Sequence, residues 1–132
     1  MAERNARLTL RLQGWTGWSR TQPPAESVVV EARRGQVLGP AAFGIGGPDL
    51  EAFGSVFGCQ IRLMTLLEDR AFFEYQRLVI KNADGSINLS APAAGTFLLK
   101  PGQHVDLATP TMDGGLLLCV TLNSIDESDE AA

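Results

Sequence analysis

Histidine is nearly absent from this sequence, and residues 101–132 hold no Lys or Arg. The one histidine is His104, and the two cysteines, Cys59 and Cys119, stand sixty residues apart. Metal motifs set His and Cys ligands in close pairs, so no metal site is expected. Two cysteines fit a reduced compartment with free thiols, and the count alone leaves one disulfide open. No apolar run approaches the roughly 18 residues that span a bilayer. The opening MAERNARLTLRLQ alternates charge with leucine and offers no uninterrupted apolar core for a secretory signal. No membrane association is therefore expected, and a cytoplasmic location, or a particle made in the cytoplasm, is the default. A repeat of 20–50 residues and low-complexity blocks are also missing. Gly-rich GIGG (44–47) has Asp49 where a third dinucleotide-fold glycine belongs, and no Lys-Ser/Thr follows as in a P-loop. No cofactor is expected.

Charge is present but unevenly spread. The net charge is −4 at pH 7, which disfavours nucleic acid as a partner because phosphate neutralisation supplies most of that affinity. Residues 1–34 carry six Arg against Glu3, Glu26 and Glu31, whereas residues 101–132 carry six acids and no Lys or Arg. If the two regions lie at opposite ends of the domain, a head-to-tail contact between copies would pair them.

The 132 residues, 45% of them apolar and 20% charged, describe one globular domain over 1–125 with a mobile acidic tail over 126–132. Its pattern is mainly β: an antiparallel sandwich or barrel of seven or eight strands. RLTLRLQ (7–13) alternates, with Leu8, Leu10 and Leu12 facing inward. GWTGWSRTQPPAE (14–26) reads as a loop and SVVVEAR (27–33) as the next strand. Pro48, the acids Asp49 and Glu51, and a Leu50-Phe53-Phe57 stripe predict one short helix over 48–57. Segment 59–77 reads as two strands around LEDR, though Ile61, Met64, Leu67, Ala71 and Tyr75 also fit a helical stripe.

Turn chemistry predicts two hairpins. Asp84-Gly85 suits a type I′ turn, which pairs Ile80 with Leu89 and sets Leu78, Ile80, Ile87 and Leu89 on one buried face. Pro101-Gly102 suits a type II turn, pairing His104 with Leu99 and Asp106 with Phe97. LLLCVTLNS (116–124) reads as a strand buried on both faces.

Two constellations could carry function. His104 and Asp106 share a strand face, and Cys59 would complete a Cys–His–Asp hydrolase. Surface carboxylates Glu68 and Asp69 lack the burial that catalytic acids need. The stronger signal is WTGW: Trp15 and Trp18 with Arg7, Arg11 and Arg20 are hot-spot residue types on one stretch, and Asp106 and Asp113 are their acidic complement. The expectation is a non-enzymatic protein-binding or assembly module, part of a larger complex or viral particle. Its partner would be another protein or copies of itself in a homo-oligomer or shell. An acidic inhibitor or immunity-type protein that covers a basic target is the alternative.

Overall fold

A computed structural model describes residues 4–16, 26–38, 59–87, 92–109 and 114–127. These form nine strands: β1 (Arg4–Thr16), β2 (Glu26–Arg33), β3 (Val37–Leu38), β4 (Gln60–Leu66), β5 (Ala71–Gln76), β6 (Val79–Ile80), β7 (Ala94–Leu99), β8 (His104–Ala108) and β9 (Gly114–Glu127). They build two antiparallel sheets, β2-β1-β9-β8-β6 and β3-β4-β5-β7, packed as a β-sandwich. No helix occurs among the described residues, and the expected helix 48–57 lies outside them. Segment 59–77 is strand. Cys59, Ile61 and Leu63 are buried on alternate positions, as are Ala71, Phe73 and Tyr75, which is the two-residue period of a sheet face.

The core lies between the sheets. Leu8, Leu10 and Leu12 of β1 and Leu118, Val120 and Leu122 of β9 face Ile61, Leu63, Phe73 and Phe97. Phe73 and Phe97 stack at 5.0 Å, a favoured aromatic geometry. Neighbouring Gly95 leaves room for the Tyr75 ring: a Cβ there would sit 2.5 Å from the phenol oxygen.

Two of the crossings between sheets, β2 to β3 and β7 to β8, are corners of one design. At the first, between β2 and β3, Gln36 N–H donates to Arg33 O (3.0 Å) and Gln36 Oε1 accepts from Arg33 N–H (3.0 Å). Gly35 N–H then donates to Leu63 O, and Leu63 N–H donates to Gln36 O. Between β7 and β8, Gln103 N–H donates to Lys100 O (2.9 Å) and Gln103 Oε1 accepts from Lys100 N–H (3.0 Å). There Gly102 N–H donates to Leu122 O, and Leu122 N–H to Gln103 O. Both glycines have positive φ, 87° and 91°, the region open to Gly.

The likeness extends beyond the corners, because β1–β4 recurs in register as β5, β7, β8 and β9. Val37↔Arg62 matches His104↔Thr121, Arg62↔Glu74 matches Thr121↔Thr9, and Phe73↔Phe97 matches Leu8↔Val30. Even the bulges agree. Met64 is the extra residue after Leu63 in β4, and Asn123 is the extra residue after Leu122 in β9. The domain is a tandem structural duplication with an inserted β6. Its period is longer than 20–50 residues, and its halves share little beyond alternation and the Gly-Gln pair.

Several local expectations are corrected. The turn after β6 is closed by Gly85 N–H to Asn82 O and by Asn82 N–H to Ser86 O, so Ala83-Asp84 form its tip. Only Gly85 takes positive φ; Asp84 avoids that cost and its Oδ1 accepts from Ser86 N–H and Oγ–H. Those two bonds hold the Asp84 carboxyl below its ordinary range. Val79 and Leu78 are buried while Ile80 is exposed, because Arg77 (φ 55°) turns the chain into the other sheet, where Val79 and Ile80 pair with Ala108 and Leu107. Leu89 lies outside the described residues.

The Pro101-Gly102 turn forms, but β7 and β8 do not pair as a hairpin. His104 stands opposite Thr121 and Asp106 opposite Cys119. Gly14, Trp15 and Thr16 continue β1 and pair with Leu116, Gly115 and Gly114 instead of opening a loop. β9 is buried on one face and half-buried on the other. It continues through Glu127, so Asp126 and Glu127 belong to the sheet and pair with Asn5 and Arg4.

Both corner glycines have open space where a Cβ would go, so only backbone conformation resists substitution. Gly35→Ala and Gly102→Ala should each cost about 1–2 kcal/mol, nearly equally, in urea denaturation. Phe73→Ala, which empties the fully buried centre, should cost about 3–5 kcal/mol.

Candidate functional site

The sandwich presents two outer faces. On the five-stranded sheet, register sets Ser27, Arg11, Cys119 and Asp106 in one row, and Val29, Thr9, Thr121 and His104 in the next. Lys81 N–H donates to Asp106 O at the end of the first row. A shallow depression of about 70 Å³ is lined by Arg11, Gln13, Lys81, Asp106, Leu117 and Cys119. That volume admits two or three waters and is well short of the ~300 Å³ at which ligand pockets begin.

The expected hydrolase set does not assemble. Cys59 is buried in the core. The thiol beside Asp106 belongs to Cys119, and His104 Nε2 lies 3.8 Å from Asp106 Oδ2 with both side chains exposed, too far for a hydrogen bond. Burial raises the Cys119 pKa; its bond to the Asp106 carboxylate and that group's charge raise it further, against smaller lowering effects of Thr121 and Arg11. Burial also raises Cys59. Thiols held in the protonated form are poor nucleophiles. Parity could have found Cys119: with Leu116, Leu118, Val120 and Leu122 inward, it must point outward.

The basic start and acidic end of the sequence lie side by side in one sheet, not at opposite ends of the domain. Basic β1 lies beside acidic β9, with Arg4 opposite Glu127 and Asn5 opposite Asp126. Arg7 pairs with Glu31 at 3.1 Å, and its pKa is raised by that bond and by the Asp126 and Glu31 charges. Arg11 and Asp106 flank Cys119 on one face instead of occupying opposite ends. Trp15 is placed in β1 by its backbone; Trp18, Arg20 and Asp113 lie outside the described residues.

The four-stranded sheet shows a different outer face. One row reads Val37, Arg62, Glu74 and Thr96, and the next Thr65, Phe72 and Leu98, with bulge residue Met64 alongside. Phe72, Met64 and Leu98 are 40%, 39% and 38% exposed. Arg70 and Lys100 follow beyond this row, with Arg70 holding Asp69 through two bonds of 3.1 and 3.2 Å.

The duplication gives this patch an internal control. Matching registers make Arg7 the counterpart of Phe72, Glu31 of Leu98, and Asn123 of Met64. On the five-stranded sheet that position holds an ion pair, Arg7–Glu31, and the bulge residue Asn123 donates to Thr9 Oγ1 at 2.8 Å. The fold thus accepts polar side chains there, and the apolar trio is no requirement of the scaffold. Sequence reasoning missed it, although adjacent Phe72-Phe73 in a strand must face opposite ways.

The thiol chemistry can be read directly. Asp106→Asn should lower the pH midpoint for iodoacetamide alkylation of Cys119, and Thr121→Val should raise it, followed by mass spectrometry; an unchanged midpoint in Asp106→Asn contradicts the assigned contact. Comparison with known proteins found no matching family model, no similar curated protein and no similar solved structure.

Proposed function

We propose that this domain is a non-enzymatic protein-binding or assembly module that docks through the outer face of its four-stranded sheet. The observation that carries the reading is the contrast between duplicated positions: Arg7, Glu31 and Asn123 on one face, Phe72, Leu98 and Met64 on the other. Contiguous exposed apolar groups rimmed by charge mark interaction sites. Their exposed remainder is worth only on the order of 2 kcal/mol when covered, far from the roughly 8 kcal/mol of a micromolar complex. A stable contact must therefore also cover the rim of Arg62, Arg70, Glu74 and Lys100, as an interface of ~800 Å² per partner would. The shallow polar depression and raised-pKa Cys119 thiol on the opposite face, with Cys59 buried in the core, favour this reading over a Cys–His–Asp hydrolase.

The duplication also supplies the test. Phe72→Arg with Leu98→Glu installs the pair its counterpart already carries, and should change stability by less than about 1 kcal/mol. A photocrosslinking residue at Thr96 should give a discrete protein adduct in the producing cell, lost in that double variant. The same residue at Val29, the counterpart position, should give none. Equal adducts from both faces, or adducts indifferent to the double variant, would sink the reading.

A further inference from the structure

We propose that the occupant of this face is a second copy of the same chain, seated by a two-fold axis lying along the Phe72–Leu98 row. The inference rests on the docking reading above and names its partner. Isologous contacts require a patch complementary to itself, and charge placement around the apolar row meets that condition. Along β5 the outward positions run Arg70, Phe72, Glu74, since side chains alternate with a period of two. Along β7 they run Thr96, Leu98, Lys100, with Phe72 opposite Leu98 and Glu74 opposite Thr96.

A two-fold along the row lays Phe72 on Phe72 and Leu98 on Leu98. It reverses the strand direction, bringing Glu74 of each copy over Arg70 of the other and Thr96 over Lys100. In the β4 column, Arg62 stands beside Glu74. It passes over the other copy's Glu68–Asp69 turn, which leads from β4 into β5. Glu74 and Arg70 so meet opposite charge and Lys100 meets the hydroxyl of Thr96, while the apolar centre meets itself. The Asp69 carboxyl, already lowered by Arg70 and, more weakly, by Lys100, remains ionised for that contact at neutral pH. The other face offers no equivalent: its central pair is the charged Arg7–Glu31, where this face has an apolar pair that can meet itself.

Sedimentation velocity over a concentration series tests the pairing with the whole chain. The expected result is a monomer–dimer equilibrium, reduced to monomer by Phe72→Arg with Leu98→Glu. Glu74→Lys and Arg70→Glu should each weaken dimerisation by at least ~10-fold, because like charges then face each other. Mixing these two single variants should restore a heterodimer, since both inter-copy pairs become complementary again. Circular dichroism and urea midpoints confirm that each variant is folded; if Arg70→Glu disturbs its turn, Thr96→Glu, which stands over Lys100 of the other copy in this arrangement, should instead tighten the dimer, and a dimer no tighter in that variant overturns the two-fold arrangement. A wild-type monomer across the series overturns self-pairing while leaving the face open to a different protein, which the crosslinked mass identifies. A dimer untouched by the apolar double variant overturns both the pairing and the docking reading. Loss in both single variants without recovery on mixing overturns the two-fold arrangement.

Discussion

The structure depends on how the chain leaves one sheet for the other. An edge residue that crosses a sandwich abandons its ladder, and its backbone groups must find partners elsewhere. Here one device solves the problem twice. A glycine at positive φ turns the chain, its N–H and the next carbonyl engage a leucine of the following strand, and a glutamine side chain closes the turn from behind. Because Leu63 and Leu122 are fixed at both backbone groups, the register of β4 and β9 is set at those points. A bulge follows immediately in each strand.

Duplication then separates what the scaffold needs from what the surface adds. Inward positions agree in kind between the halves: Leu8 with Phe73, Val30 with Phe97, Leu63 with Leu122. Outward positions diverge freely, as Arg7 and Phe72 or Glu31 and Leu98 show. A half-exposed strand face tolerates either chemistry, provided polar groups are hydrated or paired. Apolar character on one copy of a position whose twin is charged therefore carries information about contacts, which an isolated exposed leucine would not.

Charge follows the strand order of the five-stranded sheet. The first and last strands are neighbours, so the basic start and acidic end of the chain meet along β1 and β9. Exposed pairs such as Arg7–Glu31 contribute little individually, yet opposite charges on adjacent strands disfavour a slipped or swapped pairing of the two longest strands. The same adjacency places Cys119 between Arg11 and Asp106, where burial and the carboxylate keep its thiol protonated.

By itself, the sequence determined the class of fold and most of its strands. Alternation in 7–13 imposes the two-residue period of a sheet face, 59–77 left strand and helical stripe both open, and glycine at 35, 85 and 102 places three turns at positive φ. It also contained an outward Phe72 and an outward Cys119, legible from parity alone. Tertiary structure decided the rest, because strand partnership is non-local. Pro101-Gly102 makes the same turn whether β7 and β8 pair or part, and only the competing partners β5 and β9 send them into different sheets. That parting moved His104 and Asp106 away from Leu99 and Phe97 and brought Asp106 to Cys119. Register, which couples residues far apart in the chain, also placed Phe72 beside Leu98, and so made two unremarkable side chains into one surface.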